Sequence, residues 1–442
     1  MRDLLMLGVL LVMLVMAFRS GFVAFLLWVF ATVLSPQLYL YGFMQEFRFV
    51  FVFAGIALVM LWMEKDKDRG QFAPDATAVV MVLFVFHAIL TAIFSMQPNP
   101  AVWFRLDIFL KGIVLAFMAP FFLTSRWRIH VMLIVLVMGL GFHGVLDGLK
   151  MISSGGGHNV TGIPTSSLTD NNLYALGMVM LLPLILYLAK YSGHRIARWV
   201  ALIAFALCVM TVLGSNSRGG FLALAILGVW YWITSPRKLL STVFVAIVAV
   251  GVVQFAPERW FERIETIKDA AEDQSFLGRV AAWKVSVNIA NDNPLLGGGF
   301  HAGERQWIWN RYKETPNFIN YEIPEMVAKA AHSNYFQVLG DMGYLGLFLF
   351  LALLGSAFVN RWRIKAAAAK TKGDTTWATD LATAINLSLV AYMAGGAGVS
   401  LAYFELVYLF IMVLPAIHRI LIREGAKEKA LASALQGRVA HV

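Results

Sequence analysis

Of the 442 residues, 59% are hydrophobic and only 14% are charged, where soluble domains carry about a quarter, and the mean hydropathy is +0.70. That composition excludes a soluble globular chain, because apolar runs approaching the ~20 residues a helix needs to cross a bilayer recur along most of it. The net charge of +10 would suggest nucleic acid in a soluble protein; here it reads as lysine and arginine retained in cytoplasmic loops, with no nucleic-acid partner.

The apolar runs are continuous rather than alternating, so of the two architectures that satisfy backbone groups in lipid they are helices and not barrel strands. The first run, 4–18, lies between Arg2 and Arg19. It resembles a signal peptide but lacks a small-residue cleavage site and is followed by more spans, so it reads as a retained anchor. Arg19-Ser20-Gly21 joins it to a second short run, 21–34, as a tight hairpin or as one broken helix. Further spans are expected at 49–63, 78–94, 108–123, 129–149, 173–188, 196–213, 220–233 and 239–255, then at 335–359, 381–398 and 401–421. These make about 12 or 13, of which 12 with both ends cytoplasmic is preferred. The one cysteine, Cys208, lies inside an apolar run, so no intrachain disulfide forms. From Glu424 the tail, rich in Ala, Lys and Glu, reads as a short amphipathic or frayed cytoplasmic helix.

Orientation follows from the basic loops. The connections 64–69, 126–128, 190–198, 236–238, 361–372 and the tail from Arg419 are basic, whereas a connection such as 153–172 holds no lysine or arginine. Basic and non-basic loops alternate without a break from Glu64 onward, which places 256–331 outside the cytoplasm. That stretch holds Trp260, Trp283, Trp307, Trp309, Tyr312 and Tyr321 with roughly balanced charge, the make-up of a folded unit at a membrane interface. A helix is expected over 278–289, stopped by Asn293-Pro294 and then Gly297-Gly298-Gly299. The expected fold is an all-α polytopic membrane protein of about 12 transmembrane helices with one large extracytoplasmic loop. Its parts are an N-terminal bundle (1–255), a loop subdomain (256–331), C-terminal spans (332–422) and a cytoplasmic tail (423–442).

Three residues on the extracytoplasmic side carry potential chemistry. Arg218, in Gly214-Ser215-Asn216-Ser217-Arg218-Gly219-Gly220, stands at the hydrocarbon boundary, where a guanidinium binds a lipid phosphate bidentately. The flanking glycines let backbone approach such a group, although an arginine here also snorkels to the interface for purely structural reasons. Arg279, in Leu277-Gly278-Arg279-Val280, is a second candidate, its bland alternative being a solvated helix face or a pair with Glu272 or Asp273. His332, in Ala331-His332-Ser333-Asn334-Tyr335, sits where the loop re-enters the membrane and has a pKa suited to a general base or phosphate donor, or it simply caps the next helix. His301, after the glycine run, is a weaker rival. Lys111 inside its span, with Arg105 and Asp107 at the outer end, and Arg48 with Glu46 form a second tier, since intramembrane ionisable groups are costly and often functional. His143 and Asp147, four apart, are positioned to pair on one helix face, and His87 reads as a buried polar contact. No metal-ligand spacing and no nucleotide loop occur, so the reaction expected is metal-independent, without a cofactor, from a preactivated donor.

Ser217-Arg218-Gly219-Gly220, Gly278-Arg279 with Trp283, Asn293-Pro294-Leu295-Leu296-Gly297-Gly298-Gly299, and His332-Ser333-Asn334-Tyr335 leading to Gly343-Tyr344-Leu345-Gly346 occur in that order around one outer loop. This ordered set resembles the O-antigen ligase and polymerase family, and within it the ligase-like branch. The resemblance implies a GT-C-like, inverting, metal-independent glycosyltransferase of the bacterial inner membrane with its active site facing the periplasm. It implies transfer of a glycan from an undecaprenyl diphosphate donor to a lipid A–core sugar, with Arg218 and Arg279 on the diphosphate and His332 in catalysis. A basic residue of an earlier span also contributes in the family, and Lys111 is the best match. One departure is Asp341, where glutamate is more usual before Gly-x-x-Gly.

Two rivals share the donor: a polymerase that extends the glycan, and a ligase that glycosylates a periplasmic protein. A transporter for lipid-linked sugars would show repeat symmetry and a charged central path, whereas here the polar residues gather on one side. A membrane scaffold leaves the outer arginines and histidine unexplained.

Overall fold

A computed structural model of the chain describes residues 2–63, 75–97, 100–164, 166–234, 238, 242 and 274–439. The expected span 239–255, the basic loop 64–69, most of 236–238 and the loop segment 256–273, with Glu272 and Asp273, lie outside them. Among the described residues helix dominates and no strand occurs. The first helices are α1 (Arg2–Arg19), α2 (Gly21–Leu34), α3 (Phe49–Met63), α4 (Ala76–Ile93) and α5 (Pro100–Phe122). Then follow α6 (Arg126–Ser153), α7 (Asn171–Tyr191), α8 (Arg195–Gly214) and α9 (Arg218–Thr234). Beyond 273 come α10 (Gln274–Asp292), α11 (Gln306–Tyr312), α12 (Asn334–Ala368), α13 (Thr376–Gly395) and α14 (Glu405–Val439). Six of the described helices, α4, α6, α7, α8, α12 and α14, are long and apolar enough to cross a membrane, and α2, α3 and α9 are shorter apolar helices.

Extended backbone at Ser20 separates α1 from α2, which pack on each other as a hairpin. The Asp3 carboxylate at the start of α1 accepts from the backbone N–H groups of Tyr41 (3.1 Å) and Met44 (3.3 Å), beyond the end of α2. The N-terminus therefore lies at the end that holds residues 35–47, not at the end that holds the tail, which corrects the expectation of both ends on one side. At that opposite, basic end, Arg128 lies over the Phe22 ring, Arg126 pairs with Asp374 at 3.0 Å, and Lys190 pairs with Asp380 at 2.5 Å. The described loops assigned from charge to two sides thus sit at two ends of the bundle.

In the bundle α7, α13 and α14 are the most enclosed helices, with α7 against α8 and α13, and α14 against α5 and α12. Close helix approach depends on small residues, as in membrane interiors generally. A Cβ added at Gly148 would stand 2.2 Å from the Leu207 carbonyl oxygen. Buried polar side chains find partners on neighbouring helices: Thr211 donates to the Gly144 carbonyl at 2.6 Å and Asn360 to the Thr77 hydroxyl at 2.8 Å. The helix expected at 278–289 runs further, over α10, and stops at Asn293-Pro294. It packs Ala281, Val285 and Ile289 against Ile308, Trp309 and Tyr312 of α11. Buried Asn288 closes this unit by donating to the carbonyls of Tyr312 (3.0 Å) and Thr315 (2.8 Å).

Candidate active site

The site is built on a broken helix. Gly343 in α12 has φ 68° and ψ −171°, a conformation that interrupts the helical hydrogen bonding, and in lipid the freed groups need other partners. The Asn293–Gly299 run supplies them. Tyr344 N–H donates to the Pro294 carbonyl at 2.8 Å, and Gly298 and Gly299 donate to the carbonyls of Gly340 and Asp341, each at 2.9 Å. A Cβ on Gly343 would come 2.6 Å from the Pro294 oxygen, and one on Gly297 2.5 Å from Gly343 N, so glycine is required on both sides of this contact. His87 of α4 completes it, with Nε2 2.9 Å from the Met342 carbonyl. The first turns of α12 are thereby held to the loop unit at the site end.

His332 lies two residues before α12 and has left-handed backbone, φ 43°. The preceding carbonyl, of Ala331, accepts from Trp283 Nε1 at 2.7 Å, and Trp283 stacks on Phe336 with ring centroids 5.0 Å apart. Two residues on, Asn334 joins the turn between α13 and α14: its N–H donates to the Gly396 carbonyl at 2.7 Å and its Oδ1 accepts from Leu401 N–H at 2.6 Å. This 395–401 turn is common ground for the candidate residues. Gly398 lies against the Arg279 guanidinium, an added Cβ standing 3.9 Å from Nη1. Gly219, next to Arg218 at the start of α9, packs against the Gly395 carbonyl and Val399 at 3.5 and 3.9 Å in the same measure. Arg218 itself is exposed at this end, Arg279 is half-buried, and Arg279 shares one face of α10 with Trp283, four residues along.

The electrostatics of His332 are two-sided. Burial and then the Arg279 charge push its pKa below the usual histidine value, opposed by Asp170 and Glu304, with Lys329 adding to the depression. Asp170 caps α7, accepting from Asn172 and Leu173 N–H at 2.8 and 3.0 Å, while Asn171 donates to the Ser215 carbonyl at 2.7 Å in the turn that leads to Arg218. Glu304 accepts from His301 Nδ1 at 2.7 Å. Burial alone would lower the His301 pKa, but the Glu304 hydrogen bond and the charges of Asp341 and Glu304 raise it, against Arg105. Burial would raise the Glu304 pKa, and His301, Arg105 and His332 bring it below the carboxylate norm. His301 has φ 56°, and its N–H is held by Asp341 Oδ1 at 2.8 Å. Buried Asp341 in turn accepts from Tyr403 at 2.8 Å. His332 is thus a partly buried imidazole acted on by a guanidinium that lowers its pKa and by carboxylates that raise it.

Residues 203–351 match the family model described as O-antigen ligase, the stretch from α8 through the first half of α12 that includes Arg218, Arg279, the Asn293–Gly299 run, His332 and Gly343. The chain carries an O-antigen ligase domain. Residues 1–193 match a second model, a family of unknown function. No curated protein gives a match. Several membrane-length helices make the chain a multi-pass membrane protein, and this domain supports a function of the general O-antigen ligase or polymerase type.

Around the ligase domain the second-tier residues fall in different places. α5 begins at Pro100, eight residues before the expected start, because proline suits a first helical position. Lys111 is therefore about 16 Å along the helix, exposed, and paired with Asp107. It lies two residues from buried Phe109, which contacts Phe300 and Tyr403; two residues turn ~200° around a helix, so Lys111 faces away from them. Arg105 falls on the Phe109 side and acts on His301 and Glu304. Arg48 is exposed at the start of α3, a helix packed on α1 and α2. His143 does not pair with Asp147. Its ring nitrogens meet Tyr39 OH (2.7 Å) and the Leu34 carbonyl (2.9 Å), and Asp147 is taken by Lys150, His158 and Tyr174. Sequence reasoning missed Asp170, Glu304 and the 395–401 turn. Thr169-Asp170-Asn171-Asn172 was legible as a helix cap, but its proximity to His332, some 160 residues away, had no local sign.

Proposed function

We propose that the protein is an O-antigen ligase of the inverting, metal-independent, GT-C-like kind, moving a glycan from undecaprenyl diphosphate to a sugar of lipid A–core at the periplasmic face of a bacterial inner membrane. The observation that carries this reading is the flanking of a half-buried His332 by Arg279, which favours the unprotonated imidazole a general base requires. The acceptor hydroxyl oxygen bonds to the anomeric carbon from the face opposite the diphosphate. The carbon–oxygen bond to the diphosphate breaks, and its electron pair leaves with the phosphate oxygens. The hydroxyl proton passes to a ring nitrogen of His332. Arg218 and Arg279, fixed before the reaction, stabilise the charge that grows on the leaving group, and no metal is needed for that task. The prenyl chain would lie along the apolar helices beside α9.

The test is to follow labelled glycan in cells and with purified enzyme. Wild type is expected to place it on lipid A–core, while Arg218→Ala and Arg279→Ala insert normally and lose about 10²–10³-fold in transfer, the usual loss for one preorganised donor. Label accumulating in longer lipid-linked chains or on protein would replace the ligase by a polymerase or a protein-glycosylating enzyme. An arginine variant with near-normal transfer would remove that residue from the site.

A further inference from the structure

The mechanism above uses the cationic flank of His332 and leaves the other flank without a task. That flank is a constructed feature. His301 is one of four non-glycine residues with positive φ among the described residues, another being His332 itself, and such backbone persists only where its surroundings impose it. Here the imposing group is Asp341, 3% exposed, which takes the His301 N–H and is itself tied to Tyr403. A Cβ on Gly299 would meet Ser95 Oγ at 2.2 Å, so the chain entering His301 has one path. The consequence is that the His301 ring lies 2.7 Å from Glu304, orienting the carboxylate through Oε1 and leaving the side chain 37% exposed, on a turn tied to the segment that leads to His332 by Gln306 Oε1, which accepts from Ala328 N–H at 2.8 Å. A simple surface ion pair needs neither the strained backbone nor the buried carboxylate behind it.

We propose that Glu304, oriented by His301, is the positioning residue for the acceptor, its second carboxylate oxygen receiving a hydroxyl of a neutral polyhydroxylated molecule and holding that molecule beside His332. Carboxylates are strong acceptors for sugar hydroxyls. They repel a diphosphate, so the anion is kept to the Arg218 and Arg279 flank and the two substrates are sorted by charge. The acceptor end of the site consequently disfavours phosphorylated or carboxylated sugars at the attacking residue. This inference rests on the glycosyl-transfer reading proposed above.

The experiment measures donor binding and acceptor kinetics separately on purified full-length enzyme, with Glu304→Gln and His301→Asn. The donor probe is undecaprenyl diphosphate; the acceptor is a lipid A–core preparation, unmodified or phosphorylated on its terminal sugar. Glu304→Gln is expected to raise the acceptor KM about tenfold, the loss of one charge-assisted hydrogen bond, while donor affinity stays within about twofold; His301→Asn should do the same more weakly. Glu304→Gln should also narrow the preference for unmodified over phosphorylated acceptor, which a purely structural role would not do. An unchanged acceptor KM in both variants, or loss of donor affinity in either, overturns the proposal. Should Glu304→Gln fail to elute as a single species, the His301→Asn result decides alone. If instead Arg218→Ala and Arg279→Ala bind donor like wild type, the glycosyl-transfer reading fails whatever Glu304 does.

Discussion

Burial lowers the proton affinity of His332, and charges of both signs then adjust it. Arg279 and Lys329 depress its pKa and Asp170 and Glu304 elevate it. Asp170→Asn removes one elevating charge while leaving a side chain that caps α7 equally well. The imidazole should then lose its proton at lower pH, so the acid limb of the pH–rate profile moves down. Lys329→Met removes a depressing charge and should move the limb up. Profiles of both variants that superimpose on wild type would show that His332 is not the titrating group. Lys111 lies level with the site end, since its neighbours Phe109 and Gly112 pack on Tyr403 and Glu405, but its own side chain is exposed, pairs with Asp107 and lies on the helix face away from Phe109.

At the scale of elements, the decisive feature is the break in α12. Gly343→Ala would force a Cβ into left-handed backbone and against the Pro294 oxygen, at a cost of about 1–3 kcal/mol. Gly355, in the same helix, has no atom within 4 Å of an added Cβ, so Gly355→Ala should be neutral or slightly stabilising. Thermal unfolding in detergent should separate the two, with only Gly343→Ala lowering the midpoint. His87→Leu removes the partner of the Met342 carbonyl, and an unsatisfied buried carbonyl costs about 1–3 kcal/mol, so its midpoint should also fall. Equal midpoints for all three would mean that the break does not depend on the glycine contact.

For the whole molecule, the two ends of the bundle differ in charge and contents. Cys208 is buried, so an impermeant thiol reagent meets little background. Thr315→Cys in the loop unit should react in intact spheroplasts, and Lys372→Cys at the basic end only after permeabilisation. A tag at the N-terminal end of α1 should be read from the Thr315 side, because Asp3 joins residues 41 and 44 there. Reversed labelling would invert the proposed orientation and expel the site from the periplasm.

Helical class, the alternation of basic and non-basic loops and the order of Arg218, Arg279 and His332 were all legible in the residues, because hydrophobic length, loop charge and glycine-flanked motifs are local properties of the chain. The extent of α10 was nearly so, since Asn293-Pro294 stops a helix by local sterics. The N-terminal hairpin, the break at Gly343, the partners of His143 and the role of the 395–401 turn depended on tertiary contact. Each arises where a backbone carbonyl, a ring nitrogen or a carboxylate is met by a group far away in sequence, and in a low-dielectric interior that meeting decides which groups pair and which protons stay. Charge distribution around His332 belongs to this second kind: Asp170, Arg279 and Glu304, from separated stretches, act on it, and only the folded chain brings them together.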